Sequence, residues 1–409
     1  MEVGWVSCYT SIHSQPQQDP FMSPPASPLT IDLFCRVIDN FGDIGVCWRF
    51  ARQLVRDQKC GVRLYVDDFK TFARIEPRLD PSAPRQVIDG VTILVWDEDA
   101  IGQFYNTPDL PMADAVIEAF ACDLPQTVIA AMKATTPNPV WIDLEYLSAE
   151  DWVDGVHAIP STNPMTGMKK TLFFPGFTPR TGGLSREAGL MDTIKTFQAD
   201  IEGQNTWRAR HGIPAIDPSI MDVSLFCYDN APLTDLVRMI DQMGMKIRFL
   251  APAGVAPTHR AALQDFQSGH VTLHTVPFLT QGDYDKLLWT SHVNFVRGED
   301  SFVRAIWAGR PMVWQIYVQE ENAHLVKLDA FLSRYSANLP PEDAEKLAQF
   351  TIMWNVEALE EGSTPVMRDF FEALPRLGPH ARDWARTLAE QADLADQLVC
   401  FIRNQKDQN

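Results

Sequence analysis

The chain has no CxxC pair, no HExxH and no clustered Cys and His, although it carries 7 Cys and 9 His among 409 residues. Scattered thiols inside apolar runs behave as small buried hydrophobes, and their odd number fits a reduced, cytoplasmic compartment. A protein-bound metal is not expected from this distribution. No run of 18 apolar residues is present, so neither a membrane-spanning helix nor a membrane partner is expected. No GxGxxG follows a strand pattern, which removes the fingerprint of a dinucleotide-dependent oxidoreductase. Basic residues are also scarce: 35 Lys and Arg stand against 53 Asp and Glu, a net charge of −18. A surface of that sign does not suit direct nucleic-acid binding, though it leaves room for a local basic site. Residues 1–30 hold Pro16, Pro20, Pro24, Pro25 and Pro28 but no basic start and no long apolar run. They are expected to form a disordered extension and not a secretory signal.

What is present is alternation. Short β-rich runs at 31–38, 62–66, 91–96, 115–120, 140–144 and 171–174 are separated by polar turns. A second series at 223–228, 246–250, 271–276, 292–296 and 312–316 alternates with helical patterns more regularly, including a helix near 259–266. Strands alternating with helices mean βαβ units and mostly parallel sheets, so the fold class is α/β with two Rossmann-like domains. The expected boundaries are 31–180 for the first domain and 181–378 for the second, joined near the Pro- and Gly-rich stretch 175–183. Separate helices are expected at 366–374 and 384–402, and 379–409 is expected to pack back toward the first domain.

The stretch IDLFCRVIDNFGDIGVCWRFARQL, residues 31–54, reads as a buried strand, an acidic turn and a helix. Cys47, Phe50, Ala51 and Leu54 mark one apolar helix face. A phosphate-binding turn offers bare backbone N–H groups at a helix start, where the dipole favours anions. Asp39 and Asp43 in this turn would repel a phosphate, so it is better suited to a cation or to a proton that must be removed. The bland reading is that Asp43 caps the helix.

In the second half the logic reverses. Arg297-Gly298-Glu299-Asp300-Ser301 follows a strand and opens a helix. Gly298 permits close backbone approach, Ser301 can cap or bond an oxygen, and Arg297 can fork onto a phosphate. Glu299 is then placed for a sugar hydroxyl; alternatively the segment is a capped helix with a surface ion pair. Upstream, Phe278 and Tyr284 either stack on a base or belong to the core, and Gln281 offers an amide to a base edge. Phe226 and Tyr228, at another strand end, carry the same ambiguity.

The stretches CRVIDNFGDIGVCWRFARQL, VPFLTQGDYDKLLW and FVRGEDSFVRAIWAGRPMVWQIY, in that order, resemble the bacterial protein-arginine rhamnosyltransferase family EarP, which modifies translation elongation factor P. The similarity runs over nearly all of residues 30–403. It implies a GT-B fold, two Rossmann-like domains facing a cleft. The donor would be dTDP-β-L-rhamnose, held mainly by the C-terminal domain. The acceptor would be one arginine of elongation factor P, presented to the N-terminal domain, with inversion at the anomeric carbon and no metal or other cofactor. Carried onto this chain, Asp43 is the general base and Asp39 an essential neighbour, on a loop shaped by Asn40, Phe41, Gly42 and Gly45. Phe278 and Tyr284, with Phe226 or Tyr228, would hold the thymine. Gln281, Arg297, Gly298, Glu299, Asp300 and Ser301 would hold the nucleotide sugar. Two other readings stay open: a GT-B transferase with a different donor or acceptor, and a non-catalytic partner of the translation machinery.

Overall fold

The structure is a computed structural model. It describes residues 28–38, 41–97, 101, 105–164, 166–253, 270–319, 321, 323–356 and 363–408. Asp39, Asn40, the expected extension up to residue 27 and the expected helix at 259–266 lie outside the described residues.

The first half is built on β1 (Thr30–Cys35), β2 (Gly61–Val66), β3 (Arg85–Ile88), β4 (Val91–Val95), β5 (Ala115–Ala119), β6 (Val140–Leu144), β7 (Pro160–Thr162) and β8 (Lys169–Phe173). They form one sheet in the order β3-β4-β2-β1-β5-β6-β8-β7. The six inner strands are parallel, and β3 and β7 add antiparallel edges. The second half holds β9 (Met221–Leu225), β10 (Ile247–Pro252), β11 (Val271–Val276), β12 (Val293–Arg297) and β13 (Met312–Gln315), in the order β11-β10-β9-β12-β13, all parallel.

Both sheets reverse their winding beside their first strand, between β1 and β5 and between β9 and β12. Such a reversal parts the loops at the carboxyl ends of the two strands and leaves a crevice, where open α/β sheets bind ligands. Residues beyond the carboxyl ends of the strands around these two points are therefore placed to meet a substrate. Parallel strands covered on both faces bury nearly every residue, which is why Leu33, Ile117, Val223 and Phe295 are fully enclosed.

The first helix (Gly42–Arg56) has two jobs. Ile44, Cys47, Trp48, Ala51 and Leu54 are buried against the first sheet. Arg49 and Gln53 are equally buried, 3% and 1% exposed, yet polar. They face the second half and bond to it. The strand before this helix is shorter than its apolar run: β1 ends at Cys35, and Val37 and Ile38 lie in the turn. There the Val37 N–H donates to Asp67 at 2.9 Å instead of to a neighbouring strand.

The C-terminal helices differ from the expected pair. One helix, Thr364–Ala389, runs through Pro375 and Pro379, and a second starts at Leu394. The break falls where Asp393 takes the N–H groups of Ala395 (2.9 Å) and Asp396 (3.1 Å), capping a new helix. Helices Leu190–Ala199 and Ile201–Arg210, separated by Asp200, have no counterpart in the sequence pattern.

The last helix (Leu394–Asp407) buries Leu394, Leu398, Val399 and Ile402 against the first sheet. The chain thus passes between the halves twice, and the two passages touch. The Leu394 N–H donates to the Leu184 carbonyl at 3.0 Å, and Arg186 reaches the carbonyls of Ala389 and Gln391. Gly183 sits between them with φ +72°, where a Cβ would lie 2.5 Å from the Ala392 carbonyl oxygen. Only glycine fits that approach. Among the described residues no helix is long and apolar enough to cross a membrane.

Candidate active site

The strand ends at the two reversal points face each other across one cleft. One lobe, about 850 Å³ and open to solvent, is lined by Phe226, Tyr228, Phe278, Gln281, Tyr284, Arg297, Gly298, Glu299, Asp300 and Ser301, with Phe41, Gly42 and Gly45 opposite. All ten candidate donor residues are therefore on one wall. The adjoining lobe, about 900 Å³, is lined by Asp43, Phe120, Tyr146, Trp314, Tyr317 and Lys327, and shares Gly42, Gly298 and Glu299 with the first. Glu299 is the carboxylate common to both spaces.

The aromatic wall is assembled from three loops. Arg297, at the end of β12, lies over Phe226 (4.3 Å to the ring centre) and Tyr228 (4.6 Å), both just beyond β9. One of its nitrogens donates to the Cys227 carbonyl at 3.1 Å. This cation–π packing fixes a long flexible side chain and keeps its charge on the cavity wall. Phe226 meets Tyr284 edge-on at 5.8 Å. Tyr284 is not in a loop: the Thr280 hydroxyl accepts the Asp283 N–H at 3.2 Å, and the helix Gln281–Thr290 begins there. Phe278 stays in the loop, 41% exposed, and touches Phe41 of the other half at 5.8 Å.

Gly298 has φ +60°, which turns the chain from β12 into the helix Asp300–Ala308. Ser301 does not cap that helix; the N-cap position is Glu299, whose side chain makes no capping bond. The Ser301 hydroxyl instead donates to the Arg297 carbonyl and accepts the Arg297 N–H at 3.2 Å, tying the turn together. Glu299 accepts the Leu147 N–H at 2.9 Å. Burial, helped by the charges of Asp43 and Asp300 and opposed by that N–H, pushes its carboxyl up to about 8.

Asp43 is 2% exposed. It does not cap its helix either: the N-cap is Phe41, and Asp43 lies in the first turn. Its carboxylate reaches back to accept the Ile38 N–H at 2.8 Å and forward to accept the Tyr146 hydroxyl at 3.1 Å. The capping reading of this aspartate is thereby replaced by a carboxylate held at the cavity wall.

Two expected donor residues also join the halves. The Gln281 amide donates to the Gly45 carbonyl at 2.8 Å, and its oxygen accepts from Arg52 at 2.7 Å. Asp300 takes two bonds from Arg49, at 2.8 and 3.2 Å. Arg49 also reaches Asp285 at 3.1 and 3.3 Å and Glu187 at 3.2 Å. Arg304 grips the same Asp285 at 2.8 and 3.1 Å and Glu187 at 2.6 Å. Burial alone would raise the Glu187 carboxyl, but Arg304 and Arg49 hold it well below the usual range. Sequence reading missed this cluster. Its only trace is an arginine on the helix that bears Asp43, and the partners lie 138 to 251 residues away.

Comparison with known proteins gives the family and the fold. The family model "Elongation-Factor P (EF-P) rhamnosyltransferase EarP" matches residues 31–403. A protein-arginine rhamnosyltransferase of Pseudomonas putida is 41% identical over 386 residues, 92% of this chain and 99% of that protein. One from Pseudomonas aeruginosa is 42% identical, covering 90% and 98%. A solved structure described as the basis for EarP-mediated arginine glycosylation of elongation factor EF-P is 30% identical. It superposes with a TM-score of 0.63 over 92% of this chain and 99% of the other. The two-sheet α/β architecture is thus the GT-B fold, and this chain belongs to the EarP family of elongation factor P arginine rhamnosyltransferases.

Proposed function

We propose that this chain moves L-rhamnose from dTDP-β-L-rhamnose to a single arginine of translation elongation factor P, in the cytoplasm, with inversion and without a metal or direct nucleic-acid contact. The observation that carries this reading is the division of the cleft. One lobe offers aromatic rings, an arginine and a helix start, the other a buried aspartate, and Glu299 belongs to both.

The chemistry accounts for that division. A guanidinium is a delocalised cation and a poor nucleophile. Asp43, with Asp39 as its neighbour on the loop, draws it in through charge-assisted hydrogen bonds. As the arginine nitrogen attacks C1 of the sugar, the bond from C1 to the phosphate oxygen breaks and Asp43 takes the proton from nitrogen. Arg297 and the N-terminus of the helix Asp300–Ala308 meet the charge developing on the departing dTDP. Phe278 and Tyr284 hold the thymine, with Phe226 and Tyr228 fixing Arg297 behind it.

Intact mass of elongation factor P after incubation with the protein and dTDP-L-rhamnose tests the reading. A gain of one deoxyhexose on one arginine is expected. No gain with folded enzyme and cognate acceptor would overturn it, and competition with UDP- and GDP-sugars would then separate a different donor from a binding-only role.

Glu299 supplies a pH prediction. Its carboxyl, neutral below about 8, becomes an anion beside the diphosphate as pH rises through that value. Donor binding is therefore expected to weaken on the alkaline side, on the order of tenfold. Calorimetric titration of the nucleotide sugar across that range measures it. The Glu299→Gln variant, neutral throughout, is expected to bind with constant affinity; a flat wild-type curve would show that Glu299 does not change charge there.

A further inference from the structure

The loop after β5 is bent against the preference of its own residues. Phe120, Ala121 and Asp123 have φ values of 59°, 50° and 54°, and none of them is glycine. Left-handed backbone in side-chain-bearing residues persists only where surrounding contacts enforce it. The Phe120 N–H donates to the Leu144 carbonyl at 2.8 Å, and the Ala121 N–H to Asp143 at 3.3 Å. Lys170 anchors Asp143 in turn at 2.8 Å and also binds Glu118.

This strain sets the place of one ring. Phe120 is stacked on Tyr146, with centres 4.3 Å apart and planes 15° from parallel. Tyr146 is 39% exposed at the cavity wall, so the stack supplies the restraint that deep burial does not. The Tyr146 hydroxyl donates to Oδ1 of Asp43 at 3.1 Å, while the Ile38 N–H donates to Oδ2 at 2.8 Å. A donor on each oxygen stops rotation of the carboxylate and fixes its plane relative to the cavity.

We propose that Tyr146 is a positioning residue for rhamnosyl transfer: held by the Phe120 stack, it orients the Asp43 carboxylate toward the nitrogen that loses its proton. This rests on the assignment of Asp43 as the base. The tyrosine is not required to touch either substrate.

The test is Tyr146→Phe in the full chain, which removes the hydroxyl and keeps the stacked ring. At saturating donor and acceptor, kcat is expected to fall roughly tenfold or more, the effect of losing one hydrogen bond to a charged group. Donor Kd, acceptor KM and Tm are expected to stay within about twofold or unchanged, because the contact matters only to the orientation of the base. Phe120→Leu, which keeps the hydroxyl but loses the stack, is expected to lower kcat by less. In the Asp43→Asn background, Tyr146→Phe is expected to have no further effect on single-turnover rate. An unchanged kcat in Tyr146→Phe would overturn the proposal. So would a loss that appears equally in Tm or in substrate affinity, or one that adds in full to that of Asp43→Asn. A wild-type protein that transfers no sugar to the cognate acceptor would overturn the assignment of function itself, and this inference with it.

Discussion

Asp43→Asn is expected to fold, to bind the nucleotide sugar as the wild type does, and to lose turnover by roughly 10²- to 10⁴-fold, the contribution of a positioned general base. The reason lies in what the substitution keeps. Asparagine has the same shape, and its carbonyl oxygen can still accept one of the two bonds now given by Ile38 and Tyr146. What it cannot do is take the proton that the attacking guanidinium nitrogen must lose as it bonds to C1. Donor contacts are unaffected, since Phe278, Tyr284, Arg297 and Ser301 line the other lobe. Single-turnover rates, donor Kd and Tm measured on one preparation separate these effects. Transfer within tenfold of wild type would remove Asp43 as the base.

Arg49→Met is expected to be the most damaging substitution outside the cleft. Methionine matches the length of the stem but leaves Asp300 without its two guanidinium bonds and removes one of the two arginines serving Asp285 and Glu187. Of the carboxylates Arg49 serves, the side chains of Asp285, Glu187 and Asp300 are 5%, 16% and 19% exposed, so the charge left without it has limited water to turn to. Removing one partner of such a buried pair costs about 3–5 kcal/mol. A fall in Tm on the order of 5–10 °C follows. Arg49→Lys is expected to recover little, because an ammonium cannot fork onto Asp300 while also reaching Asp285 and Glu187. Adding Asp300→Asn to Arg49→Met is expected to restore part of the loss by removing the charge left unpaired. Thermal unfolding of the four-member cycle measures this. Full additivity of the two single changes would show that the Arg49–Asp300 contact contributes nothing to the fold.

The parts of this molecule that sequence makes visible are those coded locally. The strand, turn and helix around Asp43 are contiguous, and so are β12, its turn at Gly298 and the helix Asp300–Ala308. Hydrophobic periodicity and turn residues suffice for such units. The two edge strands β3 and β7 are short and largely exposed, with Arg and Pro where a pattern would need apolar residues. The helix through Pro375 and Pro379 defeats a rule that usually holds, that proline ends a helix. The candidate site reads in the sequence as two loops with opposite character, one acidic and one anion-friendly. What could not be read was their joint. Arg49, Glu187, Asp285 and Arg304 each look like an ordinary charged position. Only the folded chain shows that all four are aimed at one buried point. Tyr146 was invisible for the same reason: its partner is 103 residues earlier, and its restraint comes from a neighbour in an unfavourable backbone conformation.

The return of the last helix to the first sheet has a mechanical consequence. A pair of bodies joined by one linker can swing, twist and slide within the linker's reach. Joined by two adjacent strands of chain, as at Leu184 and Leu394, they behave like a door on two pins. Twist and translation would stretch covalent bonds or break the contacts of Arg186 and Gln53 with the second passage. Rotation about the line through the pins is what the connectivity leaves, and the bonds of Arg49 to Asp285 and Asp300, of Gln281 to Gly45 and of Leu147 to Glu299 oppose it. Together they hold the wall of Asp43 opposite that of Arg297. The register of the two walls is thus set by the connectivity of the chain as well as by the contacts between them.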